Sequence, residues 1–348
     1  MKINFKSLIL FSLIFIIFLF LGYREFLYLY KSMLTEFVGY WKYQKIIIFY
    51  QTGDTAYSDH LPMNVRFLGL LIQFLIFKIF PCVTFPNIEI VTSNLIKSGV
   101  HELYECATFS LALMNYLAKY IGLVLLIILI SIKLNKPLVE CVVATILYFL
   151  LINFVEASTM DRVAICYIFL ILIFIDNLKI GCPLLLCAFL VNEKIIVIFG
   201  PILFFRLLFK FNKDNIYLFI SICLSVVCYG LMILILSNFF DYSFFGYHNN
   251  GMTSVLAHFR KLLADPLNVS YITNAYLPFL ISLFPFIIFT INRKNFDHDF
   301  SIFYVIPIFI LILLGYIGIE NMGRYVMHMF PFWLPIFTSQ LVYYLKKI

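Results

Sequence analysis

Long apolar stretches separated by short polar ones recur along almost the whole chain. A helix needs about 20 consecutive apolar residues to cross a bilayer, and helices satisfy their backbone polar groups internally. The stretches that meet or approach this length are 7–22, 62–80, 104–132, 137–155, 163–178, 181–191, 195–209, 215–238, 274–291, 300–319 and 325–344. The pattern predicts an all-α fold, a polytopic transmembrane helical bundle of about 9–11 spans.

Two of these stretches, 181–191 and 195–209, are too short to cross comfortably alone. The polar run Asn192-Glu193-Lys194 separates them. Broken helices at membrane depth are tolerated where they line protein or a water-filled cavity. We therefore predict a hairpin of two short helices beside a cavity.

Composition agrees with this pattern. The 348 residues are 63% hydrophobic and 19% aromatic, with a mean hydropathy of +1.00, which excludes a water-soluble globule. The formal net charge of +7 does not indicate nucleic-acid binding, because the basic residues lie mostly at the ends of apolar stretches. The stretch from Ser7 to Gly22 lacks a small-residue cleavage site, so we expect an uncleaved first span. The expected organisation is a single integral domain over residues 1–348, multi-pass in the inner or plasma membrane.

Most of the eight cysteines lie inside apolar stretches, for example Cys141, Cys166, Cys223 and Cys228. Free cysteine behaves as a small buried apolar residue. We therefore predict buried cysteines and no disulfide framework.

Basic residues also predict orientation, because cytoplasmic ends are rich in lysine and arginine. The clusters expected in the cytoplasm are Lys133/Lys136, Lys179, Lys210/Lys213, Arg293/Lys294 and Lys346/Lys347. If 181–209 is a hairpin, these clusters agree, and the opposite face receives residues 156–162, residues 192–194, the long loop 239–273 and residues 320–324. That face also receives the interfacial helical first loop 23–61 if Lys2 and Lys6 hold the N-terminus inside.

One conflict remains in this topology. With the N-terminus inside, a full crossing at 62–80 places the loop 81–103 in the cytoplasm, although 104–132 should begin on the opposite side. Three solutions stay open. Either 62–80 is re-entrant, or 104–132 is a hairpin broken near Lys119-Tyr120, or the N-terminus lies outside.

The densest polar group follows the first span, between Gly53 and Arg66. It holds Asp54, Asp59 and His60 in a chain that is only 12% charged. A carboxylate accepts a proton or holds a cation, and an arginine holds a phosphate through paired hydrogen bonds. Asp59 beside His60 is a candidate pair of metal ligands. The alternative is an ordinary solvated loop.

Other polar groups interrupt the later apolar stretches. Ionisable groups at membrane depth are costly and usually face a cavity or a partner. Glu193 and Lys194 fit this description best. Asp161 and Arg162, near Glu156, are explained equally well by ion pairing at a helix start. A further group, Glu320-Asn-Met-Gly-Arg324, forms a tight turn whose alternative explanation is a structural ion pair.

The order of these motifs resembles the GT-C superfamily, integral-membrane glycosyltransferases that use polyprenyl-phosphate-linked sugars. Members place an Asp in the first extracytoplasmic loop, followed by a Tyr and an Arg-containing run. This is similar to Asp54-Thr-Ala-Tyr57 and to Asn64-Val-Arg66-Phe-Leu. Many bacterial members open a later span with Asp, similar to Asp161-Arg-Val-Ala.

Two later motifs extend the resemblance over most of the chain. A Lys-Glu start to a short helix ending in Pro is similar to Asn192-Glu193-Lys-Ile-Ile-Val-Ile-Phe-Gly-Pro201. A final Glu-Arg and Pro are similar to Arg324-Tyr-Val-Met-His-Met-Phe-Pro331. The chain departs from the pattern at Asn192, where members often have Lys, and at Glu320, which is not adjacent to Arg324.

The resemblance implies an inverting glycosyltransferase. Its expected substrates are a lipid-linked sugar donor and a glycan, lipid or protein acceptor of the cell envelope, and its surroundings are membrane lipids rather than nucleic acid. Some relatives use a divalent metal, Mg²⁺ or Mn²⁺, and others do not. The expected catalytic base is Asp54, with Asp59 as its competitor. The expected substrate-binding residues are Tyr57, His60, Arg66, Asp161, Arg162, Glu193, Lys194, Glu320 and Arg324. The competing functions are a surface-polysaccharide polymerase or ligase, and a lipid-linked glycan transporter or flippase.

Overall fold

The computed structural model describes residues 16, 20, 22–31, 33–34, 41–53, 66–80, 82, 101–153, 160–239, 277 and 327–345. Helix accounts for 90% of these residues, and no strand occurs among them. The predicted all-α fold is therefore confirmed for the described part of the chain. The predicted spans 7–22, 274–291 and 300–319 lie outside it, apart from single residues in the first two.

Nine α-helices follow a helical segment at residues 22–31 in the part of the chain that the structure describes. They are α1 (Trp41–Thr52), α2 (Phe67–Ile79), α3 (His101–Ile128), α4 (Leu138–Ile152), α5 (Asp161–Phe174), α6 (Leu178–Leu186), α7 (Glu193–Phe209), α8 (Lys213–Phe239) and α9 (Phe330–Leu345). A π-helical turn, Leu129–Lys133, follows α3, and 3₁₀ turns follow α6 (Cys187–Leu190) and precede α9 (Met327–Met329).

Local sequence accounts for several helix ends. Pro137 precedes α4, where its fixed φ suits a helix start. Asn177 caps α6, because its side chain accepts a hydrogen bond from the backbone N–H of Lys179 at 3.2 Å. The predicted break around Asn192 is confirmed, since the 3₁₀ turn ends at Leu190 and α7 begins at Glu193. Helices α6 and α7 each pack against α8.

Helix α3 is continuous through Lys119 and Tyr120. This excludes the alternative in which 104–132 is a broken hairpin. Two of the described helices are long and apolar enough to cross a bilayer, Glu102–Lys133 with 32 residues and Lys213–Ile235 with 23. Three shorter apolar helices, Phe67–Ile79, Leu138–Ile152 and Leu178–Leu190, accompany them.

The chain forms two compact units, and the first comprises residues 1–124, 156–166 and 190–192. Its core is an apolar cluster contributed by α1, α2, α3 and the residue before α5: Tyr43, Ile46, Leu70, Ile76, Leu111, Met114 and Met160. A Cβ atom at Gly69 would lie 2.4 Å from the Met160 sulfur. The bare backbone of Gly69 therefore allows the start of α5 to pack directly against α2.

The second unit comprises residues 125–155, 167–189 and 193–348. Helices α4 and α9 pack against each other. The rings of Tyr148, Phe169 and Phe330 meet with centroid separations of 5.9–6.2 Å. The buried Glu140 carboxylate accepts a hydrogen bond from the Ser339 hydroxyl and so joins α4 to α9.

The expectation of no disulfide is wrong for one pair of cysteines. Cys82, which follows α2, is bonded to Cys106 in the second turn of α3, with their Cα atoms 5.2 Å apart. The other six cysteines are free thiols. The prediction was based on the apolar surroundings of most cysteines, and such surroundings do not show which two residues the fold brings together.

Candidate functional site

Six of the predicted site residues lie outside the part of the chain that the structure describes. They are Asp54, Tyr57, Asp59, His60, Glu320 and Arg324. Their predicted roles, including the competition between two aspartates for the base, therefore stay predictions. The other five are described. Arg66, Asp161 and Arg162 lie in the first unit, and Glu193 and Lys194 lie in the second.

Arg66 precedes α2 and is buried, with 6% of its surface exposed. Its Nη1 donates a hydrogen bond to the hydroxyl of Tyr43 on α1. Tyr43 belongs to the same apolar cluster as Met160. The Arg66 guanidinium is therefore held beside the apolar cluster that contains Met160, the residue before Asp161.

Asp161 is the first residue of α5 and is fully buried. The positive end of the helix dipole stabilises a carboxylate at this position. Asn192, also fully buried, donates a hydrogen bond from Nδ2 to Asp161 Oδ1 at 3.3 Å. Asn192 thus supplies an uncharged amide to the carboxylate that opens α5.

Arg162 is buried next to Asp161 and carries a second positive charge of this region. It interacts electrostatically with Lys119 and Tyr120 of α3. Arginine stays charged under all ordinary conditions. The first unit therefore holds Arg66, Asp161 and Arg162 as buried charges.

Glu193 and Lys194 open α7 in the second unit. Glu193 is half-buried, whereas Lys194 is almost fully buried, at 1% exposure. The prediction that Glu193 and Lys194 face a cavity or a partner stays a prediction. Because Asp54, Arg66, Glu193 and Arg324 are costly polar groups on the same predicted face, the sequence also predicts that they border one cavity, and this stays a prediction.

A further buried charge was not among the predicted site residues. Lys119 of α3 has a side chain that is 4% exposed, and its Nζ lies 2.6 Å from Oε1 of Glu25 in the N-terminal helical segment. Tyr116 and Tyr120 lie one turn apart on α3, with ring centroids 4.9 Å apart. Together with Arg162 at the start of α5, these side chains form a polar group within the first unit.

Gly22 explains how the N-terminal helical segment approaches this polar group. A Cβ atom at Gly22 would lie 2.1 Å from the Tyr120 hydroxyl oxygen and 2.7 Å from that of Tyr116. Only a glycine leaves room for both hydroxyls at this point. The sequence did contain a signal for Lys119, because it is an ionisable residue inside a long apolar stretch. Its partner, 94 residues away, had no such signal.

Three buried amide side chains lie on α1, α2 and α3. Gln44, Gln73 and Asn115 are all fully buried. Gln73 Nε2 donates to the backbone oxygen of Ala107 at 3.2 Å, and Asn115 Nδ2 donates to that of Leu111 at 3.0 Å. The Gln73 bond ties α2 to α3, whereas the Asn115 bond lies within α3.

A separate ion cluster joins helix ends in the second unit. Asp176, in the turn between α5 and α6, lies 2.9 Å from Lys133 Nζ and 3.4 Å from Arg206 Nη2. Desolvation by itself would raise the pKa of Asp176. The hydrogen bond and charge of Lys133, aided by Arg206, outweigh desolvation and lower the pKa of this carboxyl. This cluster stabilises helix ends and contains none of the predicted site residues.

The described residues contain no group of three His, Cys, Asp or Glu side chains that could hold a metal ion. The candidate ligands Asp59 and His60 lie outside those residues. Whether Mg²⁺ or Mn²⁺ takes part, which the resemblance leaves undecided, therefore stays open.

Comparison with known proteins adds no relative: neither a protein-family model, nor a curated protein, nor a solved structure matches this chain.

Proposed function

We propose that this protein is a polytopic membrane glycosyltransferase. It would move a sugar from a polyprenyl-phosphate-linked donor to a glycan, lipid or protein acceptor of the cell envelope, on the extracytoplasmic side.

Helix α8 supports a membrane location because it exposes a large apolar surface. The exposed side chains include Ile220, Leu224, Val226, Val227, Leu231, Leu234 and Ile235. Such a continuous surface is stable against lipid tails and costly in water.

The buried charges of the first unit carry the proposal. Arg66, Asp161 and Arg162 are each at most 6% exposed, and they border the apolar cluster of this unit. Burying a charge is expensive, so groups of this kind are more often functional than incidental. Two of them, Arg66 and Asp161, are also residues on which the resemblance to GT-C enzymes rests.

The proposed reaction is a single displacement at the anomeric carbon of the donor. Asp54 takes the proton of an acceptor hydroxyl, and the acceptor oxygen forms a bond to the anomeric carbon. The bond from this carbon to the phosphate oxygen breaks at the same time, and the lipid phosphate leaves with the electron pair. Arg66 and Arg324 hold the departing phosphate through charge-assisted hydrogen bonds. Attack from the opposite face inverts the configuration.

The test is mass spectrometry of envelope glycans from cells with and without the protein, followed by complementation with variants. We expect one glycan species to lose a sugar when the protein is absent. Asp54→Asn should reduce transfer by about 10²–10⁴-fold, as expected for loss of a general base, and Asp59→Asn should reduce it less. Arg324→Ala should weaken donor binding as well as turnover.

Matched controls separate chemistry from general damage. Arg66→Lys should lose most transfer, because a lysine does not reproduce the paired contacts of a guanidinium. Arg24→Lys, at an exposed position of the N-terminal helical segment, should behave like the unmodified protein. Asp214→Asn, at an exposed position of α8, is the corresponding control for Asp54→Asn.

The experiment also distinguishes the competing functions. A polymerase or ligase would change glycan length or attachment rather than one sugar. A transporter or flippase would leave the covalent structure of each glycan unchanged and alter only its location. Full transfer by both Asp54→Asn and Asp59→Asn would refute the proposed role of the first loop.

A further inference from the structure

The single disulfide in the described residues joins the end of α2 to the start of α3. Cys82 lies three residues beyond the end of α2 at Ile79, and Cys106 lies near the beginning of the candidate span Glu102–Lys133. Disulfides persist in oxidising compartments, whereas cytosolic thiols are kept reduced. The bridge therefore carries information about the membrane face on which it forms.

We infer that Cys82 and Cys106 are oxidised on the extracytoplasmic face, and that α2 lies across the start of α3 at this face without crossing the membrane. This inference rests on the membrane location within the proposed function and not on glycosyl transfer. It places Arg66, which precedes α2, on the same face as the bridge.

The length of α2 supports this arrangement. Its 13 residues extend for about 20 Å, whereas the hydrocarbon core of a bilayer is about 30 Å thick. A helix of this length reaches the opposite face only with strong bilayer thinning.

The contacts of α2 show its direction relative to α3. If α2 ran antiparallel along α3 from the bridge, Gln73 would face a residue about six positions beyond Cys106, since it precedes the end of α2 at Ile79 by six positions. Instead, Gln73 donates to the backbone oxygen of Ala107, the residue next to Cys106, at 3.2 Å. Gln73, in the middle of α2, and Cys82, after its end, thus contact two neighbouring residues of α3. Helix α2 therefore does not run antiparallel along α3 in register with the bridge.

This arrangement also selects one of the three solutions of the topology conflict. If α2 does not cross, the first loop and the bridge lie on one face, and α3 then crosses from that face to the cytoplasm. Lys133, at the end of the candidate span, reaches the side that its charge predicts. The N-terminus stays inside.

The chemistry of the bridge is a thiol–disulfide exchange. The thiolate of one cysteine attacks a disulfide on an oxidising protein of the compartment and forms a mixed disulfide. The second cysteine then displaces that protein. The two thiols lose two protons and two electrons, and the oxidising protein leaves with two thiols.

The first test measures the oxidation state in the full-length protein in cell membranes. Free thiols are blocked with N-ethylmaleimide after acid quenching, the sample is reduced, and the released thiols are tagged with a polymer-linked maleimide. We expect two tags per chain. Cys82→Ser and Cys106→Ser should each remove both tags, whereas Cys223→Ser, which changes an exposed free cysteine, should leave both. If the protein without substitutions, produced in a host with an active thiol oxidase, carried no tags, the inference would be overturned.

The second test measures sidedness with a membrane-impermeant maleimide in intact cells. The six free cysteines are replaced by serine, and one cysteine is introduced at the exposed Gln51 or at Lys136. Gln51→Cys should be labelled from outside, and Lys136→Cys only after the membrane is opened. Labelling of Gln51→Cys only after opening would show that α2 crosses and would overturn the inference.

Neither measurement uses transferase activity. A protein with the bridge but no transfer would refute only the proposed function, and an active transferase with reduced Cys82 and Cys106 would refute only this inference.

Discussion

The ion pair between Lys119 and Glu25 predicts an asymmetric response to mutation. The Lys119 side chain is 4% exposed, whereas the Glu25 side chain is 39% exposed. Removing the charge of Glu25 leaves a buried ammonium without its counter-charge. Removing Lys119 leaves a carboxylate that is already partly outside the packed protein. Glu25→Gln should therefore be clearly more destabilising than Lys119→Met.

The geometry sets the magnitude. At the observed 2.6 Å separation, an effective dielectric constant of about 20 gives an attraction of about 6 kcal/mol. Most of this attraction offsets the cost of burying the ammonium, so breaking a fully buried pair on one side costs about 3–5 kcal/mol. Because Glu25 is partly exposed, we expect about 2–3 kcal/mol for Glu25→Gln and about 1 kcal/mol or less for Lys119→Met. The nearby charge of Arg162 adds to the cost of Glu25→Gln, since it repels Lys119.

The assay is the fraction of purified protein that stays monodisperse in detergent after heating. Glu25→Gln should lower the midpoint temperature by about 5 °C, and the double variant with Lys119→Met should recover most of this loss. Asp176→Asn, at a half-exposed ion pair of the second unit, is the matched control and should change the midpoint little. An equal or larger loss in Lys119→Met than in Glu25→Gln would refute the reasoning.

Three other features of the described residues, Gly22, Asp176 and the disulfide, each give a prediction. Gly22→Val should lower the heat resistance of the protein, because its side chain would clash with the Tyr120 hydroxyl, and a compensating Tyr120→Phe should restore part of it. Asp176 has a folded pKa below its usual value of about 3.9, so its stabilising contribution is present above that value and is lost as the pH falls through the folded pKa. An acid unfolding series below about pH 4 should show a small stability loss that Asp176→Asn lacks, and identical series would contradict the assignment. Reducing the disulfide should destabilise the first unit by about 3 kcal/mol, measured as a lower midpoint temperature in reductant, and an unchanged midpoint would argue against a structural role for the bridge.

The sequence by itself determined the helical fold of the described residues and several of its boundaries. A long apolar run satisfies its backbone only as helix in an apolar environment, and Pro137 and Asn177 act on the few residues that follow them. The break at Asn192 is also local, because the polar run Asn192-Glu193-Lys194 interrupts the apolar stretch.

Only the tertiary structure decided which residues meet. Asn192 reaches Asp161 from 31 positions away, and Lys119 meets Glu25 across 94. Cys82, after α2, is bonded to Cys106 of α3 from 24 positions away, and the apolar surroundings of most cysteines did not indicate this pairing. Helix boundaries depend on neighbours within one or two turns, so a single sequence shows them. Partners distant along the chain depend on how the helices pack, and the packing is set by many contacts at once rather than by any one motif.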